Sequence, residues 1–270
     1  MIKETSSRWL LTSIGLLCSI CIQAATNDAA RVRAFAREPN WTGIWQSSVW
    51  LSDASGRPPG GAAWVRAAEQ LWRDPPYNKL WEATYRAALA DTATIAAKNA
   101  GLTVCLRSFP GLMEGPREFQ VAILPEETLI VFESGQVRHV YTDGRAHPSE
   151  DDLWPMDLGD SIGHWEGDAL LVDTIARKSS EPLVPGAWAS LLSERAHFSE
   201  RMRMVDRDTL EDQLTIVDPI ALARPWMMTL QFKRLTHMQR MLPYDCTENE
   251  RNPIVDGQVT IAPPREQPKP

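Results

Sequence analysis

The feature of this sequence that most constrains its fold is a succession of short segments in which apolar and polar residues alternate, separated by tight turns. Such a period of two is the pattern of half-buried strands. A meander of this kind must cover or close its edges, and a closed barrel is the usual solution. We therefore predict a mainly β fold, a closed antiparallel up-and-down barrel with room for one small ligand. The nine or ten predicted strands are NWTGIWQSSVWL, FQVAIL, TLIVFES, GQVRHVYT, SIGHW, ALLVDT, RAHFSERMRMV, TLEDQLTIV, WMMTLQFKRL and QRMLPYDC.

The segment 62–99 departs from the strand pattern and is rich in Ala, Leu, Glu and Arg. Its aromatic and leucine residues recur at helical spacing, which predicts two helices separated by Pro75 and Pro76. Gly101 is placed to end the second helix. We therefore expect a helical hairpin inserted after the first strand, with its aromatic stripe packed against the sheet.

The N-terminus has the three parts of a secretory signal peptide: basic residues Lys3 and Arg8, an apolar run over 9–22, and small residues at Ala24 and Ala25. The apolar run is short for a membrane span, and no second long run follows. We expect cleavage near Ala24-Ala25, a periplasmic or secreted protein, and no stable membrane insertion. The predicted organisation is a signal peptide over 1–25, a loose arm over 26–39, one barrel domain over 40–251 and an extended proline-rich tail over 252–270.

The net negative charge of the chain disfavours some classes of binding partner. The formal net charge is −7, and it becomes −8 when the two basic residues and one acidic residue of the signal peptide are removed. Phosphate binding needs a basic face, so nucleic acid and anionic membrane surfaces are disfavoured. We expect a small-molecule ligand or substrate instead.

The catalytic motifs of several enzyme classes are absent from the sequence. It contains no GxSxG, SxxK, P-loop or GxGxxG pattern, and we predict no cofactor. Two cysteines, Cys105 and Cys246, remain after signal cleavage. In an exported protein two distant cysteines suggest one disulfide, although two buried thiols are the alternative.

The stretch DSIGHWEGDALLVDT (160–174) is the first candidate site. Strand periodicity puts His164 and Glu166 on one face and Trp165 on the other, and Gly167 supplies the turn. The structural interpretation is a hairpin whose acidic residues face water. The functional interpretation is an acid–base pair of His164 and Glu166 in or at the barrel. A metal site is disfavoured because His-x-Glu supplies two ligands where zinc takes three or four.

A second cluster begins in the strand that contains His139 and Tyr141 and continues beyond it. Asp143 lies in a turn, and His147 precedes Pro148. The side chains of His139 and Tyr141 can point into a barrel, or they can be ordinary core residues.

A third cluster lies in RAHFSERMR. Here Glu200 shares a face with Phe198 and Met residues, and His197 and Arg201 share the other. A buried carboxyl group suits general acid–base work, but ion pairing is the alternative role for Glu200. The candidate catalytic residues are therefore His164, Glu166, His139 and Glu200, and the candidate ligand contacts are Tyr141, Trp165, Asp143, His147, His197 and Arg201.

Four segments resemble a family of exported, largely uncharacterised bacterial proteins: YTDGRAHP, SIGHWEGDALLVDT, HFSERMRMVDRDTLE and DPIALARPW. In addition, TGIW at 42–45 is similar to the Gly-x-Trp opening of lipocalin-like barrels. The resemblance covers most of 40–251 and implies a lipocalin-like fold. It also implies a disulfide between Cys105 and Cys246, because the family has one cysteine in each region. The family supplies no activity.

These observations leave three functional hypotheses. The first is an exported lipocalin-like barrel that encloses a small, partly apolar ligand. The second is a cofactor-free enzyme of isomerase, lyase or hydratase type that uses His and carboxylate groups. The third is a structural envelope protein. The position of the candidate His and Glu side chains relative to a pocket discriminates between them.

Overall fold

The computed structural model of the protein describes residues 33, 35–50, 75–90, 109–115, 118–179 and 192–242, and the backbone of 254–255 and 258–259. Residues 41–270 form one compact unit, and residues 1–40 form another. Several predictions fall outside the described residues: the predicted signal peptide, most of the predicted N-terminal arm, the first helix of the predicted hairpin, and both Cys105 and Cys246. Export and the disulfide therefore stay predictions.

Nine strands form a closed barrel in which sequence neighbours are spatial neighbours and β1 pairs with β9 to complete the circle. The prediction of a mainly β fold with a closed barrel is thus confirmed. The strands are β1 (Ile44–Ser47), β2 (Phe119–Ile123), β3 (Glu127–Phe132), β4 (Val137–Tyr141), β5 (Asp160–Glu166), β6 (Ala169–Ile175), β7 (His197–Asp206), β8 (Thr209–Val217) and β9 (Trp226–Arg234).

One strand pair departs from the predicted antiparallel meander. Strands β4 and β5 are parallel, with Val140 beside Ser161 and Tyr141 beside Ile162, whereas the other pairs of the barrel are antiparallel. A parallel pair needs a connection that returns along the barrel, and residues 142–159 provide it. The purely antiparallel, up-and-down description was therefore wrong at this point. In the sequence, the long interval between the two strands, with its turn at Gly144 and its prolines, was the feature that indicated a parallel pair.

The core of the barrel follows from the alternation of side chains along the strands. Inward positions are occupied mainly by large apolar residues, and their rings contact one another across the interior. Phe119 lies 5.9 Å from Phe132 and 5.1 Å from Phe232 between ring centroids. Phe109 lies 5.2 Å from Phe198. A barrel of about this strand number is just wide enough to be filled by side chains.

Gly163 shows how tightly β4, β5 and β6 pack. A Cβ atom on this residue would lie 2.7 Å from the backbone oxygen of Leu171 and 3.0 Å from a methyl group of Val140. Any other residue would push these strands apart. The glycine in SIGHW is therefore required by close packing.

Helix α1 spans Lys79–Ala90 and corresponds to the second helix of the predicted hairpin. It begins after Asn78, whose Oδ1 accepts hydrogen bonds from the backbone N–H of Leu80 and Trp81, each at 3.1 Å, as an N-cap does. Trp81 and Tyr85 pack against the core as the helical spacing predicts, but Leu80 is exposed. A second, four-residue helix, α2, spans Gly111–Glu114 and is buried.

The end of the described chain differs from the sequence-based expectation. Residues 239–242, the start of the predicted strand QRMLPYDC, have no strand structure. Within the expected extended tail, β10 (Ile254–Val255) pairs with β11 (Gln258–Val259). No helix in the described ranges is both long and apolar enough to cross a membrane.

Candidate functional site

The barrel wall of β4–β7 has a polar cluster on each of its two faces. The inner cluster is centred on Arg138, which is 1% exposed. Its Nη1 donates to Glu200 Oε1 at 2.9 Å and its Nη2 to Glu200 Oε2 at 2.5 Å. The guanidinium also donates from Nε to Ser161 Oγ at 3.2 Å and from Nη2 to Thr174 Oγ1 at 2.8 Å. A buried charge pair is tolerated when it is fully hydrogen-bonded in this way.

Asp212 adds a second carboxyl group to the inner cluster. It is fully buried, and burial raises its pKa well above the ordinary value of 3.8, with the negative charge of Glu200 as the next cause. Neither carboxyl oxygen of Asp212 accepts a hydrogen bond from a described residue. Protonation of Asp212 removes the repulsion between the two buried carboxylates, because a neutral Asp212 can donate its O–H to Glu200.

The outer cluster is a chain of alternating carboxylates and imidazoles: Asp160, His147, Asp173 and His197. His147 Nδ1 lies 2.5 Å from Asp160 Oδ1, and His147 Nε2 lies 3.1 Å from Asp173 Oδ1. The same Asp173 oxygen lies 2.7 Å from His197 Nε2. Asp160 and Asp173 come from β5 and β6, His197 begins β7, and His147 comes from the connection between β4 and β5. The sequence scatters these four residues over 51 positions, and the fold brings them together.

His147 is held on both sides of its ring. Its Nδ1 faces Asp160 and its Nε2 faces Asp173, and carboxylates are acceptors only. Both contacts are therefore hydrogen bonds when both ring nitrogens carry a proton. Its side chain is 17% exposed, whereas those of Asp173 and His197 are each 43% exposed. The chain therefore runs from a shielded end at Asp160 to an open end at His197.

Two grooves on the outside of the barrel border the outer cluster. Asp173 lines a groove of about 370 Å³, together with Ile162, Leu171, His164 and Ser199. His197 lines a second groove of about 460 Å³, together with Pro148, Ile175, Ala176 and Glu194. Each groove thus combines apolar surface with polar side chains of the cluster.

The structure separates the four predicted catalytic residues. His164 and Glu166 are on the outside, with His164 Nε2 3.3 Å from Glu166 Oε1, and both are mostly exposed. His139 is also outside, with Nδ1 2.8 Å from Glu127 Oε2. Glu200 is inside the barrel on Arg138. The side chains of His164 and Glu166, on the outside, therefore do not meet the carboxyl group of Glu200, which is inside on Arg138.

The six predicted ligand contacts also divide. His147 and His197 meet in the outer cluster, and Arg201 lines a third outer groove of about 530 Å³. Tyr141 lies under the guanidinium of Arg145, 4.0 Å from its ring centroid, and this arginine pairs with Asp143 in the turn. The hydrogen bond from Arg145 lowers the pKa of Asp143. Trp165 faces inward, and its ring centroid lies 5.1 Å from that of Trp41.

Sequence reasoning missed Asp160 and Asp173, although a signal for both was present. The two-residue turn at Gly167-Asp168 sets the hairpin register and puts Ile162 opposite Asp173. Asp160 has the same parity as Ile162, so both carboxylates fall on one face.

Comparison of the chain with models of known protein families and with curated proteins gives no match. The resemblance to an exported family therefore stays a prediction. In the part of the chain that the structure describes, no three His, Cys, Asp or Glu side chains are grouped so as to hold a metal ion. The functional argument therefore depends on the geometry of the two clusters and the grooves.

Proposed function

We propose that the protein binds a small, partly apolar molecule on the outside of β4–β7, with the outer cluster as the polar centre of recognition. The observation that carries this proposal is the state of Asp173. Two imidazoles, His147 and His197, hold its Oδ1, while its Oδ2 has no hydrogen bond to a described residue. Asp173 thus presents a fixed acceptor at the wall of a groove.

The walls of this groove indicate the chemistry of the ligand. Ile162 and Leu171 offer apolar surface, and Ser199 offers a hydroxyl group beside Asp173, its partner across the strand pair. A ligand with a hydroxyl or amine donor on an apolar body fits these groups. Because the described inward side chains of the barrel pack against one another, we place the ligand outside the barrel and not within it.

Export is the second part of the proposal and is supported by the sequence alone. The basic start, the apolar run and Ala24-Ala25 are arranged as in a cleaved leader. Sequencing the N-terminus of protein taken from the periplasm of an expressing bacterium should give a start at about residue 25 or 26. An intact N-terminus, or a lipid on Cys18 or Cys21, would contradict export as a soluble protein.

The binding proposal is tested by mass spectrometry of small molecules that co-purify with the protein. The wild type is compared with Asp173→Asn and with Asp168→Asn, a control on an exposed turn residue of the same hairpin. We expect one compound to be enriched with the wild type and the control and lost from Asp173→Asn. Equal recovery from all three proteins, or recovery from none, would contradict a site at Asp173.

The hydrogen-bonded chain from Asp160 to His197 favours a second candidate function, a cofactor-free acid–base enzyme. A carboxylate that orients an imidazole at the edge of a groove is the arrangement that general acid–base catalysis uses. The wild type would then deplete one compound of a cell extract, and His197→Gln would not. A matched change of the exposed His237, His237→Gln, should keep the activity. Enrichment without depletion supports the binding protein instead.

A further inference from the structure

Arg177, just after β6, is a buried cation whose hydrogen bonds are incomplete. It is 1% exposed, yet neither its Nε nor its Nη2 has an acceptor in the described part of the chain. No ion pair of Arg177 with a described carboxylate exists within 4.0 Å. An unpaired buried charge is strongly unfavourable, so this position needs an explanation beyond packing.

The two unfilled donors are on the same edge of the guanidinium. Nε–H and Nη2–H point in parallel and form the fork that binds both oxygens of a carboxylate or phosphate group. Arg145 uses this same edge on Asp143, from Nε at 2.9 Å and from Nη2 at 2.7 Å. The same two donors of Arg177 have no acceptor among the described residues.

The surroundings of Arg177 contain negative charge but no direct counter-ion among the described residues. Asp218 is the largest favourable charge near it, but its carboxylate already accepts from Ser193 and from the backbone of Ile220 and Ala221. Glu194 contributes less. Burial dominates and lowers the pKa of Arg177 to about 10, so the side chain still carries its proton at neutral pH.

The backbone that presents Arg177 is unusual. Ala176 has φ of 53°, in the left-handed region that alanine seldom adopts. Such strain persists where surrounding structure imposes it, often at a ligand site. Here Ala176 lines the 460 Å³ groove, and the next side chain turns inward beside the ring of Phe198, 5.5 Å from its centroid.

We infer that Arg177 is the anchor of a second binding site, which takes an oxyanion, a carboxylate or a phosphate, through the Nε–Nη2 fork at the end of the barrel near Phe198. An anion there completes both hydrogen bonds and neutralises the buried charge. The rings of Phe198 and Tyr77 lie beside Arg177 and would contact an apolar body attached to a carboxylate. This site is separate from the outer cluster and does not depend on the function proposed for it.

The test compares anion binding by the full-length wild type, Arg177→Met and Arg195→Met, the last being a control at an exposed arginine nearby. Thermal midpoints and calorimetric titrations are measured in chloride buffer with inorganic phosphate, acetate or decanoate. We expect at least one of these anions to bind the wild type and the control at least tenfold more tightly than Arg177→Met. A response to phosphate alone identifies a phosphoryl group, and a response to decanoate above acetate identifies an apolar carboxylate.

Two further results bear on the inference whatever the probe. Without added anion, Arg177→Met should be at least as stable as the wild type, because it removes an unpaired charge. A large loss of stability there would show that the guanidinium is paired within the protein and would overturn the inference. So would the absence of an anion response that depends on Arg177. Arg177→Lys keeps the charge but not the fork, so undiminished binding by this variant would overturn the bidentate assignment.

Discussion

The inner and outer clusters use adjacent residues of β5 and β6, yet they differ in exposure and in the kind of side chains that they bring together. Ser161 and Thr174 contact Arg138 inside, while their neighbours Asp160 and Asp173 contact His147 outside. The inner cluster is sealed, and its ion pair has side chains that are at most 1% exposed. The outer cluster is open at His197. Strand alternation alone thus divides one set of motifs between two environments.

This difference shows where stability and function reside. Loss of one member of a buried ion pair strongly destabilises a protein, because the other charge stays buried without a partner. A partly exposed ion pair contributes little to the stability of the fold. The inner cluster is consequently suited to holding β4–β8 together. The outer cluster can exchange its contacts for a ligand at small cost to the fold. Four experiments test this contrast, from the largest expected effect to the smallest.

The largest effect is expected for Arg138→Met, which leaves Glu200 buried without its counter-charge. Urea unfolding should show a loss of about 3–5 kcal/mol in the free energy of unfolding. The double variant Arg138→Met/Glu200→Leu should recover much of it. Arg145→Met, at an exposed ion pair of the outer face, is the control and should unfold like the wild type. Equal effects of the two arginine substitutions would remove the contrast between the faces.

A pH-dependent effect is expected next, at Asp212. Because its pKa is raised in the folded state, its contribution to stability is fully present below its unfolded pKa and is lost as the pH rises toward the folded value. Asp212→Asn should therefore gain stability relative to the wild type between about pH 4 and pH 7. Urea unfolding over this range provides the measurement.

Asp206 provides a control of opposite sign for this experiment. Hydrogen bonds from Thr209 and the Asp208 backbone lower its pKa, so its contribution is present above the unfolded pKa and lost as the pH falls. Asp206→Asn should be less stable than the wild type at neutral pH and equal to it in acid. If the two variants respond to pH in the same direction, the assignment of Asp212 is wrong.

A smaller effect is expected for the pair of His147 and Asp160 in the outer cluster. A double-mutant cycle with His147→Gln and Asp160→Asn should give a coupling energy of about 1 kcal/mol that falls at high salt. The same cycle on Arg138 and Glu200 should give a larger value that salt changes little. A coupling at His147 as large as that inside the barrel would mark the outer cluster as structural.

The smallest effect is expected for His164→Ala, because the side chain is 64% exposed and its contact to Glu166 is a surface pair. The free energy of unfolding should change by less than about 0.5 kcal/mol. Gly167→Ala in the same hairpin should lose about 1 kcal/mol, since Gly167 has φ of 66°. If His164→Ala is the more destabilising of the two, the hairpin interpretation fails.

The features of the structure that local sequence patterns determine were predicted. Those that depend on the path of the chain were not. All nine barrel strands and the turns at Gly144 and Gly167 followed from alternation and turn chemistry, both of which are local. The direction of β5 did not, because nothing in SIGHW distinguishes a parallel neighbour from an antiparallel one.

In the candidate site, too, the local features were predicted and the contacts between distant parts of the chain were not. Ion pairing was one of the two interpretations of Glu200, and its apolar strand face was predicted correctly. The identity of that arginine was not, because Arg138 lies 62 positions away and meets Glu200 only when the barrel closes. His147 reaches Asp160 and Asp173 through an irregular connection that no periodicity describes. Contacts that depend on closure or on an irregular path were therefore those that sequence reasoning missed.

The parallel neighbours β4 and β5 have a consequence for the energetics of binding. Because the connection 142–159 must return along the barrel, it brings His147 to the outer cluster as a separate piece of chain. Any opening of this connection that moves His147 would therefore also break the cluster. A ligand that prefers the completed cluster would hold the connection in place, by an amount set by its concentration relative to its dissociation constant. Amide hydrogen exchange across 142–159 would then report occupancy of the groove without any knowledge of what the ligand is.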